Sequence, residues 1–472
     1  MSSDLSSATA FRNARPAPVW TTVILALAVC NVGCAVHRPD MATARSAFAA
    51  GDLGVADATL REIADGRSKE SDAASLDLAI VELASGDSLS AEQRLRKLRD
   101  QFDSRPLLTP LADTASMVTD DRTRIYRSSG YEQVMIRSML ALCSLSRDAA
   151  DAEAYTLQAQ MKQQELAKHA EERGLMETVA EAGTQAYQPI AMTSYLRGVL
   201  REATHRDYDD ATKAYQLVSQ IRPDFRPAHE DIARASGGTH SRPGHGVIYV
   251  LACVGRGPVL VEQEAETTTM AMNIASALLS NVNNDEESDE DDDDRQVILG
   301  NIASVKIPVV AIPDSPTAAL ATTIDGQVYG ATQTLTDVAD LAIRQNEIER
   351  PWTIARAVMR RVTKESMVAT AGRQLGLSGT PGKLFHLAAA SAWSASESAD
   401  TRCWGLLPRE VQVLRAELPT GSHAVTLTPL GFDGGEIGTP VQTTVSIEDG
   451  RNHYLIAIAP GRHVFLAGEP TP

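Results

Sequence analysis

Arg206-Asp207-Tyr208-Asp209-Asp210-Ala211-Thr212-Lys213-Ala214-Tyr215-Gln216-Leu217-Val218-Ser219-Gln220-Ile221-Arg222-Pro223 is the stretch from which the fold is read. Ala211 is small enough for a paired helix to approach closely. Tyr215 follows four residues on, Val218 three later, and Pro223 closes the helix. The same logic recurs upstream. Gly51-Asp52-Leu53 leads to Ala56 and Leu60, and Gly86-Asp87-Ser88 leads to Ala91 and Leu95, with equivalent positions 35 residues apart. Arg147-Asp148 leads to Ala152 after a longer interval. In each unit Gly or Asp makes a tight turn, Ala permits close contact and Leu or Tyr fills the groove. Between units, Val134, Met135, Met139, Leu142 and Leu145 recur at helical spacing and read as core.

Ala211, Tyr215, Val218 and Pro223 resemble the second helix of a tetratricopeptide repeat, whose period is about 34 residues. The resemblance implies a mainly α helical-repeat solenoid over 41–236, with a concave face. Such faces usually bind peptides or partner proteins; the alternative is that this one packs on the rest of the chain.

The chain has 472 residues, enough for two or three cores. Aromatic residues are only 4% of it, which favours helix-on-helix packing. A net charge of −17 argues against a nucleic-acid partner, which needs clustered Lys and Arg. Much of that acidity is local, since nine of the ten residues Asp285–Asp294 are acidic. That tract reads as a disordered insertion spanning 282–295. A calcium loop is the sharper alternative, but the tract has no turn glycine. Cys143, Cys253 and Cys403 lie apart from one another, without a CxxC pair, and read as buried free thiols; one bridge, Cys253 to Cys403, is the alternative.

The N-terminus reads as an address. Arg12 and Arg15 precede an apolar stretch from Val19 to Val29, as in an export signal. Asn31-Val32-Gly33-Cys34-Ala35 resembles a bacterial lipobox, with Asn31 where that pattern has an aliphatic residue. The resemblance implies a signal peptide over 1–33, lipidation of Cys34 and a tether over 34–40. Ala35, rather than Asp, implies sorting to the outer membrane, on its periplasmic side. An uncleaved anchor over Val19–Val36 and an ordinary cleaved signal are the competing readings.

Residues 237–472 read as an α+β domain with antiparallel β strands. Gly237–Gly244 has a linker composition, and Val247–Val254 and Val259–Glu262 read as strands. Thr268–Ser280 reads as a helix; Val297–Ile312 and Ile324–Val328 as strand-like; Leu335–Arg344 and Trp352–Thr370 as two helices, with Pro351 suited to a first turn. Val411–Leu414, Ala424–Leu427, Thr443–Ile447 and Tyr454–Ile458 complete the strands, with turns at Asp449-Gly450 and Pro460-Gly461. Gly255-Arg256-Gly257-Pro258 and Gly376–Lys383 only superficially suggest phosphate loops.

Cys34 after an export signal, Tyr131-Glu132-Gln133-Val134, the Arg206–Pro223 unit, Gly255–Pro258, Ala399-Asp400-Thr401-Arg402-Cys403-Trp404 and Leu418-Pro419-x-Gly421 occur in one order. That order is similar to a family of uncharacterised bacterial lipoproteins with tetratricopeptide-like repeats and a mixed C-terminal domain. The resemblance supplies no reaction. His240 and His245 are poorly spaced for a metal, and no cofactor or catalytic set is expected. Asp400, Arg402 and Trp404 stand out as a candidate functional cluster, with a structural ion pair beside a buried Trp as the plainer reading. The expectation is a non-enzymatic, membrane-anchored scaffold of the cell envelope that recruits a protein or peptide on its concave face. The alternative is an enzyme or ligand-binding protein with a site near Asp400, Arg402 and Trp404.

Overall fold

In the computed structural model, which describes residues 40–105, 126–172, 189–283, 302–374 and 398–468, the Gly-Asp turns organise the first half. Gly51 and Gly86 take left-handed backbone, φ 90° and 85°, which glycine adopts without steric cost. The aspartate after each caps the next helix: Asp52 and Asp87 accept from the N–H groups of Val55 and Ser90, both at 3.0 Å. Helices α1 (Met41–Ala49) and α2 (Leu53–Asp65) fold about the first turn, and α3 (Ser71–Ala84) and α4 (Ser88–Asp103) about the second. Hairpins α5 (Gly130–Leu145)–α6 (Ala152–Glu172) and α7 (Ala191–Glu202)–α8 (Tyr208–Ile221) turn through Ala149 and His205, at φ 56° and 57°. Helix α9 (Pro227–Ser236) follows, and each helix packs on the next in chain order. Ala56, Ala91, Ala211 and Tyr215 are fully buried, while Pro223 is exposed in the turn after α8. Gly198 on α7 sits against the Tyr215 ring, where a Cβ would lie 2.6 Å from a ring carbon.

The hairpins are asymmetric. The first helices α3 and α5 are buried on nearly every side, whereas α2 and α8 bury one stripe each. What covers the first helices is a five-stranded sheet. Its strands are β1 (His245–Val254), β6 (Gln333–Asp337), β7 (Glu410–Pro419), β10 (Asn452–Ala459) and β11 (Phe465–Leu466), ordered β11-β10-β1-β7-β6. Alternation decides the layers. Val247, Tyr249, Leu251 and Cys253 join one core with the helices, while Ile248, Val250, Ala252 and Val254 face a second sheet. With both faces covered, β1 has no polar side, hence its unbroken apolar run. The second sheet comprises β4 (Ala319–Ile324), β5 (Gln327–Ala331), β8 (Gly421–Leu430) and β9 (Val441–Ile447), ordered β5-β4-β8-β9. The chain crosses from one sheet to the other at Gly421, φ 137°. A smaller third core joins the ribbon β2 (Val259–Glu266)–β3 (Ser304–Ala311) to α10 (Thr269–Asn283) and α11 (Val338–Gln374).

Several features differ from the sequence reading. The pairing of β1 with β10 is parallel, although the other pairings in the three sheets are antiparallel. Ile324–Val328 is not one strand: Asp325 and Gly326, both at positive φ, turn the chain between β4 and β5. The two helices expected around Leu335–Arg344 and Trp352–Thr370 are one helix of 37 residues with Pro351 inside it, and Leu335 belongs to β6. The Gly-rich connection 237–244 is docked, with His240 Nε2 2.7 Å from Asn452 Oδ1 of β10. Residues Asp40–Pro472 form one compact unit, in which helices and five-stranded sheet share a single core. Cys143, Cys253 and Cys403 are free and buried; burial pushes the Cys403 thiol up to about 11 and that of Cys253 to about 12.

Candidate functional site

The site begins with two carboxylates that the helices hold inside the core. Glu132 stands at the third position of α5, in a capping box with Ser129, and Asp77 interrupts an apolar run on α3. Both are buried, and burial pushes both carboxyl pKa values up despite their donors. Between them runs a strap, residues 398–409, that leads into β7. Glu132 Oε1 accepts from the Trp404 N–H at 2.7 Å, and Oε2 from the Ser129 N–H and the Tyr126 hydroxyl. Asp77 Oδ1 accepts from the Leu406 N–H at 2.9 Å, and Oδ2 from Arg45 Nε at 2.7 Å. Arg45 in turn donates from Nη2 to the Cys403 carbonyl at 2.7 Å. The strap is thus bound through its backbone, much as a peptide would be, by side chains of α1, α3 and α5.

The candidate cluster lies on this strap. Arg402 grips Asp400 with two hydrogen bonds, 2.8 and 2.6 Å, donates to the Lys69 carbonyl and lies over the Tyr126 ring. That carboxylate raises the Arg402 pKa against the effect of its burial. The Trp404 side chain is fully buried. Asp400 and Arg402 therefore meet as an ion pair, while Trp404 points into the core.

A cleft of about 300 Å³ opens beside the pair, lined by the start of α5, by α6, by α11 and by the β2–β3 ribbon. Its apolar lining includes Phe102, Leu166, Leu260, Val310 and Trp352. Its acids are engaged. Asp400 holds Arg402, Glu132 has the three donors above, and Glu349 accepts from Gln345, whose own oxygen receives the Tyr131 N–H at 2.8 Å. Arg105 pairs with Asp72. Sequence reasoning missed this cleft, because its walls come from segments more than two hundred residues apart. Asp77 and Glu132 were readable only as single acids within apolar helical runs.

The remaining sequence candidates are placed elsewhere or outside the described residues. Gly255–Pro258 is the turn between β1 and β2, and Gly257 sits so close to the Leu407 carbonyl that a Cβ would overlap it. His240 is buried against Asn452, and among the described residues no group of three or more His, Cys, Asp or Glu is placed to hold a metal ion. Cys34 with the export signal, the acidic tract and Gly376–Lys383 lie outside the described residues. Among the described residues no helix is long and apolar enough to cross a membrane. Compared with family models, curated proteins and solved structures, the chain matches none.

Proposed function

We infer that this protein is a membrane-tethered, non-catalytic binding protein of the cell envelope, attached through Cys34 outside the cytoplasm, with its ligand received in the cleft beside Arg402. A lipoprotein of the outer membrane, facing the periplasm, is the form of this reading that Ala35 favours. The four helical hairpins among the described residues, each turning through a left-handed residue, support a tetratricopeptide-like body, resembling the uncharacterised lipoproteins with such repeats. One observation carries the binding half. The first-helix face, where repeat proteins hold their peptides, is filled by this chain's own sheet and strap. Recruitment therefore passes from that face to the cleft, which lies where helices, ribbon and strap meet. Binding is favoured over catalysis because Asp400, Arg402 and Glu132 are tied into structural hydrogen bonds.

Metabolic labelling with an alkyne fatty acid, followed by fractionation, tests the tether. Wild-type protein takes up label and sediments with membranes, while Cys34→Ala loses both properties. A Cys34→Ala protein that stays in the membrane, unchanged in processing, contradicts the anchor.

A further inference from the structure

We propose that the cleft binds a small organic monocarboxylate with an apolar body, held by Arg356 and Ser128. This rests on reading the cleft as the binding site and adds the chemistry of its ligand. The residual polar capacity of the lining decides the sign. Each carboxylate there already has a donor, as described for Asp400, Glu132 and Glu349. Arg356 and Ser128 of the lining are in the opposite condition. Arg356, half-buried on α11, makes no ion pair among the described residues; its one hydrogen bond is a long one, 3.4 Å to Thr353 Oγ1. Ser128 is 6% exposed, and its hydroxyl has no hydrogen-bond partner among the described residues. A buried hydroxyl without a partner costs free energy that a hydrogen-bonding ligand would recover, and the guanidinium in the same lining offers such a ligand a counter-charge. Ser128 can donate or accept, so the donor-only guanidinium of Arg356 sets the sign, and an acceptor ligand completes the site.

Charge and size narrow the class. One unpaired guanidinium balances one negative charge, and its planar fork matches the two oxygens of a carboxylate. A dianionic phosphate would carry a second charge into a cleft already bordered by Asp400 and Glu349, in a chain of net charge −17. The volume, about 300 Å³, is at the small end of ligand sites, so the occupant is a small molecule or a chain end. Leu166, Leu260, Val310 and Trp352 offer its body an apolar wall.

Isothermal titration of the full-length protein in lipid nanodiscs, with empty nanodiscs subtracted, tests this with three probes of one shape: 3-phenylpropionate, its amide and 3-phenylpropylammonium. The carboxylate is expected to bind at least ten-fold tighter than the amide, and the ammonium not to bind. Arg356→Gln should lose that ten-fold preference and Ser128→Ala should weaken the carboxylate about three-fold, with melting temperatures unchanged as the check on folding. Equal binding of carboxylate and amide, or an unaffected Arg356→Gln, overturns the proposal while leaving the cleft a binding site. No binding by any probe at millimolar concentration overturns both.

Discussion

Gly405 is the tightest point of the strap, and substituting it tests how the strap is held. A Cβ there would overlap the guanidinium of Arg45. A long side chain can usually swing away, but Arg45 is fixed at 2.7 Å to both Asp77 Oδ2 and the Cys403 carbonyl. Gly405→Ala therefore has to break the Arg45–Asp77 pair and leave a fully buried carboxylate without its cation. Stranding one partner of a buried ion pair costs about 3–5 kcal/mol, and Arg45→Ala strands the same carboxylate. The three atoms nearest that Cβ all belong to Arg45, so the double variant should be little worse than Arg45→Ala alone. The expected coupling is then nearly the whole cost of Gly405→Ala, about 3–5 kcal/mol, at or above the top of the range for residues in contact. Urea denaturation of the wild type, both single variants and the double variant measures it. Effects that add to within about 0.5 kcal/mol would refute this account of the strap.

Two further outcomes follow from the shared core and the buried imidazoles. A fragment of residues 41–236 strips Phe465 from Phe48 and Tyr249 from Tyr195, and opens the small cavity that Ile80 and Met139 line together with Cys253 and Ile458. At roughly 1.5–3 kcal/mol per side chain, that loss rivals a whole domain's net stability of about 5–15 kcal/mol, so the fragment should show no cooperative melt; a sharp calorimetric transition would contradict this. Burial lowers the pKa of His240 and of His453, whose Nε2 accepts the Glu448 N–H at 3.0 Å. As pH falls below about 6.5 the unfolded chain takes up protons that the native state refuses, so stability declines on acidification and is unaffected by these groups above neutrality. His453→Gln should flatten the melting temperature between pH 7 and 5, and a wild-type profile that is flat or rises toward acid would contradict it.

The parts of this fold that were legible in the sequence are those set by local backbone chemistry. Gly51-Asp52 and Gly86-Asp87 announce their turns because positive φ favours glycine and the aspartate supplies the cap. Ala149 and His205 hold the same conformation without that signature, and Met135 or Tyr195 betrays burial but not what does the burying. The continuous apolar run of β1 marks a strand covered on both faces; its parallel partner β10, some two hundred residues on, leaves no local trace. Pro351 was read as a helix start because proline lacks the N–H of a helix interior, yet α11 continues through it. The Asp400–Arg402 pair was readable from its spacing. The cleft beside it was not, because its walls come from α5, α6, α11, the ribbon and the strap.

Hydrogen–deuterium exchange of the intact protein tests most directly whether the first-helix face is closed from within. The N–H groups of Trp404 and Leu406, donating to Glu132 and Asp77, should exchange as slowly as those of β1. Exchange at the rate of an exposed turn such as Gly434-Gly435 would mean the strap leaves that face open, and partner binding would return to the helices.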